Sequence, residues 1–502
     1  MRLHVCKFCA EQLLKALDGE GFNAVHVNAA TIVAPVSSAA SDNTGLKRVL
    51  GPWHLIALGV GVTIGAGLFS LTGVAAGQNA GPAVTLSYLI AALACGFAGL
   101  CYGELAGMIP SGGSAYSYAY ASMGELIAWI IGWDLVLEYT VGAAAVASSW
   151  SGYVSSLLSG WGITIDPRLL ATPMTPVTLA DGSVVSAWFN FPAVLAIWVV
   201  TALLMRGVSQ SAAVNNVIVV IKLAVIALVL VFCIPHIKLA NYHPYIPPND
   251  GTFGHFGFSG VMRAAGMAFF AYLGFDIVST TAQDSKNPAR DIPVGIIGSL
   301  LICGVVYAVF SAVLTGVVNY KVMANDPSPV ATAIDAAGAP WLASLVKLGI
   351  TVGYVSVLFG LLLGQARVFL AMSHDGLLPK VFAKLNTRTH TPWTSHLCFA
   401  ALTSVLTAVL PIGELGNMTS IGTLLAFIIV CVGVPLLRIK EPQAPRLFRV
   451  PGGPIIPVLG VLSCGAVMVS LDMLTWVRLV VWLVIGLAIY FCYGVRHSLL
   501  SR

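Results

Sequence analysis

Polar positions dominate only the first fifty or so residues; from Pro52 onward the chain alternates long apolar runs with short polar connections. Twelve runs are long enough to cross ~30 Å of hydrocarbon. They occupy 52–78, 82–108, 116–157, 189–206, 213–234, 258–281, 292–317, 341–373, 394–412, 414–437, 455–473 and 475–496. Lipid offers no hydrogen bonds to a backbone, so each run is predicted to be helical. The third is too long for one perpendicular crossing and is either strongly tilted or continued outside the bilayer. The eighth is also long enough to extend past it. Ahead of them, Phe8 to Leu17 has the spacing of a short amphipathic helix, followed by an Ala/Ser/Asn-rich linker. It lacks the continuous apolar stretch of a signal peptide.

The composition agrees with this pattern. Of 502 residues, 58% are hydrophobic and 9% charged, and the mean hydropathy is +0.89. Soluble domains carry about 25% charged residues, so an ordinary water-soluble enzyme is excluded. The net charge of +5 is scattered, with no basic block, and nucleic acid binding is not expected. None of the ten cysteines falls in the three long outer loops, so no disulfide framework is indicated. Cys6 and Cys9 form a lone C-x-x-C beside His4, and the further ligands that a metal site needs do not follow.

Charge instead orients the chain. With the N-terminus inside, Lys47, Arg48, Arg206, Lys286, Arg290, Lys380, Lys384, Arg388, Arg438, Lys440, Arg446 and Arg449 all fall in cytoplasmic segments. The outer segments hold only Arg168, Lys238, Lys321 and, at a helix end, Arg478. This positive-inside bias places both termini in the cytoplasm; the cell (plasma or inner) membrane is the expected location.

A weak repeat runs through the spans. The first breaks at Gly65-Ala66-Gly67, before Gly81-Pro82 opens the next helix. The sixth carries Gly274 in an aromatic-rich core, followed by Asn287-Pro288 and Ile292-Pro293. Gly65 and Gly274 are 209 residues apart, and Pro82 and Pro293 are 211 apart. Five helices separate each pair, an odd number, so the two halves are expected to be inverted. Paired interrupted helices are the best sequence pointer to a transporter site.

At the first break, unwound backbone would offer amides to a carboxylate near Gly65, Ala66 and Gly67, and the Ile64 carbonyl to an ammonium or a cation. The alternative is that G-A-G only permits close helix packing. At the second, carbonyls near Phe270, Ala271 and Leu273, with Gly274 as the breaker, suit the protons of an amine. Phe270 is either an aromatic gate or ordinary packing.

Lys222 lies about nine residues into the fifth run, roughly 14 Å deep. A charged lysine at that depth costs at least ~3 kcal/mol and is paired or functional. Desolvation disfavours its charge, so proton coupling is the reading preferred over a structural ion pair. Asp134 and Glu138 share one helix face a turn apart. Glu138, the deeper, either accepts a proton, tunes the pocket or makes a structural hydrogen bond. Asp276 and Glu104 are weaker candidates. No phosphate loop, nucleophile elbow or paired metal-spaced histidines occur, so neither enzyme nor cofactor is expected.

These motifs resemble the amino acid–polyamine–organocation superfamily, and within it the cationic amino acid transporter subfamily, over about residues 45 to 500. The likeness rests on Gly51-Pro52-Trp53-His54, Ile64-Gly65-Ala66-Gly67-Leu68-Phe69, Cys101-Tyr102-Gly103-Glu104-Leu105 and Gly112-Gly113-Ser114-Ala115-Tyr116. It continues in Gly132-Trp133-Asp134, Ala271-Tyr272-Leu273-Gly274-Phe275-Asp276, Lys286-Asn287-Pro288-Ala289-Arg290-Asp291 and Ser373-His374-Asp375-Gly376-Leu377. It implies an all-α membrane protein of the LeuT-type fold: two inverted five-helix repeats with discontinuous helices 1 and 6, plus two extra helices, twelve in all. The corresponding divisions are a cytoplasmic tail at 1–50, repeats at 51–240 and 241–440, and the last two helices at 441–502. It also implies a substrate carboxylate at Gly65 to Gly67, Phe270 as the gate, and Lys222 in place of a sodium ion with Ile64 and Ser356 beside it. Glu138 matches an acidic position of the subfamily.

The expected function is therefore secondary active amino acid transport by alternating access, with a proton as co-substrate. An exchanger of amino acids or polyamines, or a non-transporting sensor, is the alternative. Membrane lipid is the implied surrounding partner, and a small accessory membrane subunit is left open.

Overall fold

The computed structural model describes residues 50–498 apart from 110–113, 174, 180–181, 208–211, 282–284, 325, 327, 390 and 447. Cys6, Cys9, the Phe8 to Leu17 segment and Gly112-Gly113 thus lie outside the described residues.

Each of the twelve apolar runs is helical. The first contains α1 (Pro52–Thr63), α2 (Ala66–Phe69) and α3 (Leu71–Ala75), continuing through a π turn at Ala76–Ala80. Next come α4 (Val84–Met108), α5 (Ser114–Met123), α6 (Glu125–Gly160), α7 (Phe191–Met205) and α8 (Ala212–Cys233). The sixth run holds α9 (Gly257–Phe269), a 3-10 turn at Phe270–Tyr272 and α10 (Ile277–Thr280). The remainder gives α11 (Pro288–Val317), α12 (Tyr320–Met323), α13 (Pro329–Ala336), α14 (Pro340–His374), α15 (Trp393–Val409), α16 (Ile412–Lys440), α17 (Ile455–Val469) and α18 (Met473–Ile489). Among the described residues, eight helical stretches are long and apolar enough to cross a membrane, and four further apolar helices are shorter.

The third run is a different object from a single tilted helix. Gly124, at φ +97, ends α5 and starts α6. The 36 residues of α6 rise about 54 Å, well beyond the hydrocarbon. The loop that follows carries a hairpin of β1 (Pro176–Thr178) and β2 (Val184–Ser186).

Burial sorts the helices. The most apolar window of α6 is 94% buried and that of the last stretch, Met473–His497, is 22% buried. The former is the centre of the bundle, packed on α14 and α16; the latter lies at its edge. α11 packs on α1 and α4, and α8 on α1 and α14.

The two interrupted runs are antiparallel. Leu50, before α1, pairs with Ser285, after α10, and its carbonyl accepts from the Lys286 amide at 2.9 Å. At the opposite end, the Asn79 carbonyl accepts from the Phe256 amide at 2.8 Å, and Asn79 Nδ2 donates to the Gly254 carbonyl at 2.8 Å. The breaks lie between these ties and face one another.

Candidate functional site

At the first break, Ile64 turns extended (φ −73, ψ 105) and Gly65 (φ −159, ψ −139) leads into α2. The first amides of a helix have no partner within it, so this is where the chain presents donors. At the second, Leu273 turns out at ψ 135 and Gly274 takes φ +106, a conformation that strains residues with a Cβ.

Contact between the breaks dictates two of the glycines. A Cβ on Gly67 would lie 2.3 Å from the Ala271 Cα, and one on Gly274 would lie 2.5 Å from Val62 Cγ1. Gly65 differs: its nearest neighbour would be a Val357 methyl at 3.3 Å.

Side chains from other helices hold the carbonyls at the breaks. Lys222 Nζ donates to the Gly61 carbonyl at 2.6 Å and the Ile64 carbonyl at 2.9 Å. The residue is 1% exposed, and no carboxylate pairs with it among the described residues. Its stem occupies a slot floored by glycine: a Cβ on Gly353 of α14 would meet Lys222 Cε at 2.9 Å. Ser356, expected beside Lys222, donates to the carbonyl of that same Gly353 at 3.0 Å. Tyr307 of α11 places its hydroxyl 2.8 Å from both the Thr63 and the Ala271 carbonyls. Tyr88 of α4 donates to the Gly67 carbonyl at 2.7 Å. The Phe270 carbonyl accepts from the Leu273 amide at 3.1 Å, closing the turn. Phe270 itself is buried.

The acidic candidates separate. Glu138, Asp134 and Asp276 are all buried, and Tyr139 donates to Asp276 Oδ2 at 3.1 Å. Asp134 packs against Gly422 of α16. Glu104 lies elsewhere, in a clamp. Arg438 Nε and Nη2 reach its carboxylate at 2.9 and 2.5 Å, Arg446 Nε lies at 3.5 Å, and the Val450 amide donates at 2.7 Å. Three positive or donor groups on one buried carboxylate make a structural tie. Among the described residues no group of His, Cys, Asp and Glu could hold a metal ion.

The chain's sequence matches a family model described as amino acid permease, over residues 50–494. The chain belongs to the amino acid permease family. The permease is 42% identical to a branched-chain amino acid permease of Bacillus subtilis (strain 168), covering 93% of this chain and 97% of that protein. It is 40% identical to a methylthioribose transporter of the same organism, with the same coverage. It is 36% identical to a vacuolar cationic amino acid transporter of Arabidopsis thaliana, over 86% of this chain and 66% of that protein.

Within the permease, Ile64, Gly65, Ala66, Gly67, Ala271, Gly274 and Lys222 come together around the two breaks, with Phe270 and Leu273 in the adjoining turn. Sequence reasoning missed Gly61, Gly353, Tyr88 and Tyr307. A tyrosine inside an apolar run carries a hydroxyl that needs a partner when buried, and that was the available signal.

Proposed function

We propose that this permease imports an amino acid with an aliphatic side chain together with a proton, by alternating access. The observation that carries the reading is Lys222, whose ammonium sits on the Gly61 and Ile64 carbonyls at the end of α1 with no carboxylate paired to it among the described residues. A buried ammonium held by backbone carbonyls at the break where the substrate is read is placed for its proton to be coupled to the substrate.

The substrate carboxylate is read onto the amides at Gly65, Ala66 and Gly67, and its amine onto carbonyls at Ile64, Phe270, Ala271 and Leu273. A carbonyl accepts two hydrogen bonds, so the substrate amine either shares Ile64 with Lys222 or displaces it. That competition links substrate to proton. Phe270 covers the site, and Glu138 is a second proton acceptor.

The aliphatic preference rests on the apolar neighbours of the breaks. Val357 faces Gly65, and Leu273 and Leu361 face Gly142. The branched-chain permease relative points the same way.

The architecture read with this function is the LeuT-type one. Twelve helices cross, 51–240 and 241–440 form inverted repeats, and 441–502 adds the last pair. The antiparallel course of the interrupted runs supports it. The chain resides in the cell membrane with both termini cytoplasmic.

The test is uptake of labelled branched-chain amino acids by purified protein in liposomes. Acid outside should accelerate uptake without any internal substrate, and Lys222→Ala should abolish the pH dependence. Uptake that needs preloaded substrate, or that follows sodium and ignores pH, removes the coupling.

A further inference from the structure

At the end of the bundle assigned to the cytoplasm, two exposed apolar stripes converge on exposed basic residues. On α7, Phe191, Leu195, Val199 and Leu203 are exposed along one face, which ends at exposed Arg206. On α15, Trp393, Leu397, Val405 and Val409 are exposed at four- and eight-residue spacing, starting at Trp393. These helices pack together, and the Trp393 Nε1–H donates to the Met205 carbonyl at 3.0 Å. The stripes therefore end at one level, and the indole marks it, as tryptophans do at a membrane–water interface.

The connection from α14 to α15 is folded onto the same place. Asn386 Oδ1 accepts from the amides of Arg388 at 2.9 Å and Thr389 at 3.2 Å, and Thr391 Oγ1 donates to the Met205 carbonyl at 3.2 Å. Gly207 lies so close to Thr389 that a Cβ there would sit 3.2 Å from its carbonyl oxygen. Arg206 and Arg388, each one residue away, are thus neighbours on the surface. Lys384 is exposed in the same loop, with Leu385 exposed beside it. Among the described residues, no hydrogen bond or ion pair engages the charged ends of Arg206, Lys384 or Arg388.

We propose that Arg206, Lys384 and Arg388, with Trp393, form a binding site for the headgroup of an anionic phospholipid whose acyl chains lie along the α7 and α15 stripes. The positive-inside bias alone accounts for cations at this level; what distinguishes this place is that the loop and the end of α7 are tied together where the two stripes meet, through Met205, Thr391, Trp393, Gly207 and Thr389. A phospholipid suits both the cations and the stripes: phosphate oxygens accept from guanidinium and ammonium donors while the chains cover the exposed leucines and valines. Cytoplasmic leaflets are anionic, so the charge is complementary.

The test titrates phosphatidylglycerol, and phosphatidylcholine as the neutral comparison, into the detergent-purified full chain and follows thermal unfolding. Phosphatidylglycerol should raise the midpoint saturably and phosphatidylcholine should not. Each of Arg206→Gln, Lys384→Gln and Arg388→Gln should weaken the apparent affinity about fivefold, and the triple variant should lose the response at unchanged lipid-free stability. The pair Lys286→Gln and Arg290→Gln, on another part of the same face, should leave it intact. A triple variant that responds as the parent does, or a control pair that loses the response equally, overturns the site. The readout needs no transport, so it stands or falls separately from the proposed coupling.

Discussion

The Nζ of Lys222 lies 2.9 Å from the carbonyl oxygen of Ile64, the residue at which α1 stops being a helix. A helix end that would otherwise leave its carbonyl unpaired in an apolar interior is capped by a cation from α8. The cap and the break explain one another: without the lysine the unwound carbonyl is unsatisfied, and without the break the lysine has no acceptor.

Gly353→Ala should damage transport through Lys222 alone. The added methyl would fall 2.9 Å from Lys222 Cε, and the helical backbone of α14 cannot yield. A displaced ammonium loses a charged hydrogen bond, so uptake should drop about tenfold while the protein still folds. Initial rates in liposomes, with thermal unfolding as the control, decide it. A fully active Gly353→Ala protein would mean the slot is not needed.

Gly65→Ala and Gly67→Ala should separate binding from folding. Gly67 meets the Ala271 backbone, so its substitution forces the breaks apart and costs about 1–3 kcal/mol of stability or more. Gly65 meets only a Val357 methyl at 3.3 Å, the end of a side chain rather than backbone, so Gly65→Ala should cost less stability than Gly67→Ala while raising the KM for uptake. Equal melting temperatures for the two variants would contradict this reading of the contact.

Gly274→Ala combines two penalties. The φ of +106 disfavours a side chain by about 1–2 kcal/mol, and the new methyl meets Val62 Cγ1. Loss of both stability and uptake is expected, measured by unfolding in detergent and flux in liposomes. Relief should come from Val62→Ala, which removes the opposing methyl; a double variant no better than the single would sink the steric account.

Glu104→Ala should destabilise without touching coupling. It strands the Arg438 and Arg446 guanidiniums and the Val450 amide, and breaking a buried pair of this kind costs about 3 kcal/mol. Thermal unfolding should shift downward, while residual uptake keeps its pH dependence. A pH profile altered as in Lys222→Ala would instead return Glu104 to the proton pathway.

The apolar runs were legible because a bilayer imposes one rule on every residue of a span, and length and hydropathy express it directly. Gly65 and Gly274 marked the breaks, and Lys222 was conspicuous as a lone charge among valines and isoleucines. Ser356 was placed beside Lys222 by family likeness, and its hydroxyl bonds to Gly353, the residue that floors the Lys222 slot. Glu104 looked like a possible proton carrier because its partner Arg438 stands 334 residues away. The long third run hid Gly124, since a single glycine in an apolar stretch reads equally as helix interior or as a stop.

By itself, then, the sequence determined where the chain is helical, where those helices break and which residue carries a buried charge. Each of these is local: it depends on a residue and its neighbours within a few turns. Only the tertiary structure decided that Gly67 meets Ala271, that Gly353 makes room for Lys222, and that Tyr307 touches both breaks. Apolar helices are alike in hydropathy and lipid tails are as apolar as they are, so hydrophobicity places them in the bilayer without naming partners. Close packing and the pairing of the few polar groups choose which faces meet.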